Sequence, residues 1–212
     1  MKMSKRKIKL REKISFSFPA VALFALSLLL DKTGGITACF ISAALHEVGH
    51  LFAMELSGYP AEKIKIRIFG GEIVKKNQIS KPLSKELFII YGGIISNLLF
   101  AFTFGGLYYF LNNDFLKLLC FTNLGLGFFN LMPACTLDGG VGLEILLSNF
   151  FGADFAAKTV NVLTVLLIIP IFTLGFIVLF NSPYNFSLLF IGIYLTMSLF
   201  ISGKNKSEKF ST

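Results

Sequence analysis

Charged residues are placed along this 212-residue chain so that long runs contain none. Residues 14–30, 87–113, 118–137 and 159–203 carry no Asp, Glu, Lys or Arg. A further run, from Thr33 to Met54, is interrupted only at His46-Glu47-Val48-Gly49-His50. A hydrocarbon core of roughly 30 Å is crossed by about 20 helical residues, which is the length scale of these runs. The last run carries Asn181-Ser182-Pro183-Tyr184-Asn185 near its middle, a turn signal that divides it in two. With 54% hydrophobic and 15% charged residues, the composition excludes an ordinary soluble domain. The expected fold is an all-α polytopic membrane protein with about six transmembrane helices, at 15–31, 36–57, 87–111, 115–132, 157–180 and 186–203. The reading is of one membrane domain over 1–203, with a catalytic core at about 36–150 and a short polar tail, 204–212, expected to be disordered.

Six spans place the intervening segments alternately on two sides. Eighteen of the 20 Lys and Arg then fall on the side of the termini, against Lys32 and Lys117 on the other. Positive charge is retained inside, so both termini are expected in the cytoplasm, and the net charge of +8 reflects topology and attraction to anionic lipid rather than nucleic acid. The basic start is followed by a run long enough to span and lacking a clean cleavage site, so it reads as an uncleaved first helix. Cys39, Cys120 and Cys135 lack CxxC spacing and read as reduced structural thiols.

Two segments break the helical pattern. Ile64-Lys65-Ile66-Arg67-Ile68 alternates apolar and basic residues and leads through Phe69-Gly70-Gly71 into Glu72-Ile73-Val74-Lys75, the signature of a small β-hairpin at the membrane surface. A plain basic loop is the alternative. In Asn130-Leu131-Met132-Pro133-Ala134-Cys135-Thr136-Leu137-Asp138-Gly139-Gly140, Pro133 ends a helix and the glycines permit turns. Irregular backbone at membrane depth persists only when buried in protein or lining a wet cavity.

The chain has two histidines, and both lie in His46-Glu47-Val48-Gly49-His50. Positions four apart share a helix face, so both imidazoles can bind one cation with Glu47 beside them. Such an arrangement holds Zn2+, and the glutamate next to the first histidine takes a proton from the attacking water. Ionisable groups inside a span are rare and mark function. The plainer alternative is a hydrogen-bonded histidine pair between helices, but the second span contains no Lys or Arg to balance Glu47. Catalytic zinc takes a third protein ligand, for which Glu55, Asp138 and Glu144 are the candidates. Glu55 is turned away from the ligand face. Asp138 lies in the broken-backbone segment and is the choice, with an ordinary N-cap for Val141–Phe150 as its alternative reading; Glu144 is the reserve.

His46-Glu47-x-x-His50 in one span, paired with Asn130-x-x-Pro133-x-x-x-Leu137-Asp138-Gly139 in a later one, resembles the site-2 protease family of intramembrane metalloproteases. The number of spans and the small size are most similar to its sporulation branch. The resemblance implies Asp138 as third ligand, Glu47 as catalytic glutamate, and Asn130 as a group that binds substrate or the developing oxyanion. It implies a membrane-tethered protein substrate, of the pro-sigma-factor type in that branch, membrane regulatory proteins as partners, and a bacterial cytoplasmic-type membrane. Gly92-Gly93-Ile94-Ile95-Ser96-Asn97 is similar to the family's Gly-Pro-x-x-Asn stretch, with Ile94 where proline is usual, and reads as a helix-packing surface. Neither a PDZ-like insert nor the branch's nucleotide-sensing CBS module is present in the sequence. A zinc-binding transporter or sensor is the competing class, yet spans one, three, five and six offer no interior carboxylate or histidine for a transport path. A prenyl-peptide type of zinc protease, with Glu144 as ligand, is the alternative enzyme.

Overall fold

The computed structural model describes residues 14–16, 31–60, 63–67, 70–74, 82–182 and 185–209. Along the chain run β1 (Ile14–Phe16), α1 (Gly35–Ser57), β2 (Lys63–Arg67), β3 (Gly70–Val74), α2 (Leu83–Leu111), α3 (Asp114–Leu131), α4 (Asp138–Phe151), α5 (Ala153–Asn181) and α6 (Ser187–Lys209). Among the described residues, α1, α2 and α5 are long and apolar enough to cross a membrane, and Ser187–Phe200 is a shorter apolar helix. Helix α3 covers the expected fourth span but carries Asp114, Lys117, Asn123 and Asn130 within its 18 residues. The first expected span falls largely on residues 17–30, outside the described set.

Two departures from the sequence reading have local causes. Ile14–Phe16 is a strand, paired in parallel with Ile64–Ile66, where a helix was expected to begin. The alternation Ile14-Ser15-Phe16-Ser17-Phe18 is a period-2 pattern embedded at the edge of an apolar run. At the other end, α6 continues to Lys209 rather than stopping near Ser202. Lys204, Lys206, Glu208 and Lys209 are good helix formers, and no proline interrupts them.

The chain divides into two compact units, Met1–Leu126 and Gly127–Thr212. In the first, β1, β2 and β3 form one sheet in that order, with β2 antiparallel to β3 and Ile64 opposite Ile73. Helix α1 buries Ala38, Ser42, His46, Gly49 and Ala53, recurring every three or four residues and small apart from His46. Helix α2 answers with buried Gly92, Gly93, Ser96 and Asn97. Small residues let two backbones approach where lipid offers no hydrophobic drive to association, and dispersion and interhelical hydrogen bonds replace it. A Cβ on Gly49 would meet the Gly92 carbonyl oxygen, and one on Gly92 would lie 2.8 Å from the Gly49 oxygen, so the two backbones touch there. Ser96 Oγ donates to the Leu45 carbonyl across the same seam at 2.7 Å.

Helix α1 is closed at both ends by polar contacts. The Asp31 carboxylate accepts the Thr37 backbone N–H at 2.7 Å and its hydroxyl at 2.6 Å, which holds the Asp31 pKa down to about 2. Gly58, at φ 80°, ends the helix in a left-handed turn with Gly58 N–H on Glu55 O and Tyr59 N–H on Met54 O. Lys85 adds a charge at that end, donating to the Ser57 carbonyl at 3.1 Å.

In the second unit, Ala134, Leu137 and Leu195 form a buried cluster against Phe129, Leu167, Ile168, Ile171 and Ile191. The segment between α3 and α4 is thereby packed onto α5 and α6.

Candidate metal centre

His46 is buried and His50 half-buried, one turn apart on α1, with ring centroids 4.7 Å apart and planes nearly perpendicular. Each ring's Nδ1 is committed to a defined partner. His50 Nδ1 lies 2.9 Å from the Ile89 backbone carbonyl, an acceptor only, so this nitrogen carries the proton and donates it. His46 Nδ1 lies 2.5 Å from Asn97 Oδ1. The orientation of that amide follows from its other end: Asn97 Nδ2 donates to the Ser42 carbonyl at 3.1 Å, which can only accept. Asn97 Oδ1 therefore faces His46 and accepts from its Nδ1–H.

With each Nδ1 turned to an acceptor, the two Nε2 atoms face each other 3.1 Å apart. Zinc bonds of about 2.0–2.1 Å place two ligands of a tetrahedron roughly 3.3 Å apart, so the pair fits zinc. Space for it is kept by Gly93, where a Cβ would stand 2.5 Å from His50 Nε2 and 2.7 Å from His46 Nε2. Second partners of this kind, backbone carbonyl and side-chain oxygen, orient metal-binding imidazoles and raise their basicity. Glu47 is exposed and lies about 60° around the helix from His50 and about 100° from His46.

The other predicted residues belong to the second unit. Asn130 is half-buried, one residue before the end of α3. The chain then turns: Ala134 N–H bonds to Met132 O across Pro133, and Leu137 N–H to Ala134 O. Asp138 is the first residue of α4 and half-buried. The N-cap position falls on Leu137, so the capping alternative for Asp138 does not describe this helix. Gly139 and Gly140 are required for close approach, since a Cβ on the first would meet the Leu131 oxygen and on the second the Ala134 oxygen. The turn is tied down from outside as well. Cys135 N–H donates to Thr164 Oγ1 at 2.9 Å, and Thr136 Oγ1 to Ser198 Oγ at 3.2 Å. Cys135 is buried there as a free thiol. Glu144 is half-buried one and a half turns into α4, lining a cavity of about 330 Å³ with Val141, Ile145, Ser148 and Ala153. Glu55 is exposed on α1.

Sequence reasoning undervalued three groups in the first unit. Asn97 reads as packing in the sequence, yet it is fully buried and bonded to His46. Gly93 serves the imidazoles rather than the helix seam. Ile89 acts through its backbone, which no side-chain pattern reveals.

No family model matches the chain. Stage IV sporulation protein FB of Bacillus subtilis is 27% identical over 178 residues, covering 83% of this chain and 61% of that protein. Zinc metalloprotease MJ0392 of Methanocaldococcus jannaschii is 31% identical over 121 residues, covering 53% of this chain and 34% of that one. The chain thus spans less than two thirds of either relative. Among solved structures, the site-2 protease from Methanocaldococcus jannaschii superposes with a TM-score of 0.65 at 23% identity, covering 88% of each chain. The fold is that of a site-2 protease, and one of the two sequence relatives is named a zinc metalloprotease.

Proposed function

We propose that this chain is an intramembrane zinc endopeptidase that cleaves a membrane-tethered protein near the cytoplasmic face. The carrying observation is the pair of Nε2 atoms 3.1 Å apart within His46-Glu47-x-x-His50, on a helix apolar enough to lie in a bilayer. His46 and His50 hold zinc with Asp138 as third ligand, a donor set of two imidazoles and a carboxylate suited to a metal ion. When bound, zinc supplies a Lewis acid that polarises a carbonyl and acidifies water. Glu47 receives the proton of the attacking water and delivers it to the departing amine. Asn130 binds the substrate main chain or the developing oxyanion through its amide.

His50 is seven residues from the end of α1 at Ser57, roughly 10 Å of helical rise. With the basic segments inside, that end faces the cytoplasm, which supports cleavage in the inner leaflet. A helical substrate must unwind before its amides are open to attack. The three-stranded sheet offers an edge on β3 where an unwound segment adds as a further strand, main chain to main chain. The Bacillus relative's name places it in sporulation, and the resemblance carried by the two motifs favours a membrane-associated pro-sigma factor as the substrate class and membrane proteins as regulators.

The test compares zinc content and cleavage for the detergent-purified chain and its Glu47→Gln form, against a panel of membrane-tethered precursors that includes a pro-sigma factor. Both forms are expected to bind about one zinc, and only the parent to cleave. Cleavage by Glu47→Gln at the parent rate overturns the assignment of the base.

A further inference from the structure

Asn97, Asn123 and Ser42 are all fully or almost fully buried, at 0%, 0% and 1% exposure, on three different helices of the first unit. Asn123 Nδ2 donates to the Leu119 carbonyl at 2.8 Å and to Ser42 Oγ at 2.8 Å. Its Oδ1 accepts from Asn97 Nδ2 at 3.0 Å. Ser42 Oγ lies 2.8 Å from Thr122 Oγ1, whose own proton goes to the Leu118 carbonyl at 2.9 Å. The Ser42 hydroxyl is left to donate to Thr122. Backbone carbonyls stand at the fixed ends of this chain, and they accept only. They leave one consistent arrangement of protons, in which both Asn97 N–H bonds are spent on Ser42 O and Asn123 Oδ1, and Asn97 Oδ1 is turned to His46.

We propose that Asn97, held by Ser42 and Asn123, is a positioning residue that sets the His46 tautomer, keeping the proton on Nδ1 and the lone pair on Nε2. It rests on the reading of His46 as a zinc ligand. Rotating the Asn97 amide to present Nδ2 to the imidazole breaks two hydrogen bonds in a dry interior and sets two acceptors against each other. The opposite tautomer of His46 is disfavoured for the same reason. Asn97 thus does for His46 what the Ile89 carbonyl does for His50, using a side chain supported through α3 in place of backbone.

The chain's two histidines make the tautomers directly measurable. Full-length protein labelled with 15N-histidine, in detergent and stripped of metal, is recorded at a pH above which the ring signals no longer change, where protonated and unprotonated ring nitrogens resonate far apart. Both rings of the parent are expected to be protonated on Nδ1; a ring protonated on Nε2 overturns the proposal. In Asn97→Leu, His46 is expected to lose its preference while His50 keeps its own, and zinc affinity by chelator competition to fall about 10- to 100-fold. An unchanged His46 spectrum in that variant overturns the proposal. If both rings shift, the fold has been lost, and the smaller Asn97→Ser takes its place with the same two outcomes. A parent that shows the expected tautomers but binds no zinc sinks the metal reading alone, so the two ideas fail separately.

Discussion

At the scale of single residues, position 93 carries two imidazoles' worth of consequence. Gly93→Ala puts a methyl group where His50 Nε2 and His46 Cε1 now have room, at 2.5 and 2.6 Å from the new carbon. The rings must turn away from each other, and we expect zinc affinity to fall by about tenfold or more while helix content holds. Chelator competition alongside circular dichroism checks this. Asp31 supplies a pH signature far from the metal. Its pKa is lowered from 3.8 to about 2, chiefly by the Thr37 hydroxyl and then the Thr37 amide. A depressed carboxylate favours the folded state above the unfolded pKa, so its contribution is complete above about 4 and disappears as pH falls through 2. Carbon NMR of the Asp31 carboxyl should titrate near 2, and Thr37→Val should move the midpoint up towards 3.8; an unmoved midpoint removes the hydroxyl as the main cause.

At the scale of elements, β3 has one side paired to β2, and its other side is an edge of the three-stranded sheet. If that edge receives substrate, single prolines at Gly71, Glu72 and Ile73 should alternate in effect. Those whose N–H faces away from β2 should cut cleavage sharply while leaving zinc content intact, because proline removes the donor the added strand needs. Cleavage insensitive to all of them ends the idea. The elements also show where a sequence is readable. The His46 and His50 pair is local to one helix, so spacing alone reveals it. Asn97 meets His46 across 51 residues of chain, and its neighbours Gly92 and Ser96 give the same stretch a packing meaning that masks the hydrogen bond. Asn123 has no motif at all; its one signal is an amide within an uncharged run, where an unsatisfied polar group is costly. The strand at Ile14–Phe16 was hidden because apolar content, which marks spans, outweighs a short alternation.

At the scale of the whole molecule, the distribution of positive charge predicts an orientation. Eighteen of 20 Lys and Arg lie on one side of a six-span reading, and reporter fusions at the two ends should both report the cytoplasm. An N-terminus found outside, with one span before α1, places the α1 end and its histidines towards the opposite leaflet, whereas a C-terminus found outside changes the span count after α1. The division into Met1–Leu126 and Gly127–Thr212 falls within α3, which is itself continuous, so nothing in the composition marks it.

The backbone contact between Gly49 and Gly92 lies beside His50 and owes nothing to a metal. Because it brings Ile89 and Asn97 to the two imidazoles, the rings are oriented by protein groups. Zinc fingers collapse when stripped; here the scaffold should outlast its ion. Folding in the bilayer and metal loading are then separable events, and protein emptied by a chelator should recover activity on simple addition of zinc, with no refolding step between.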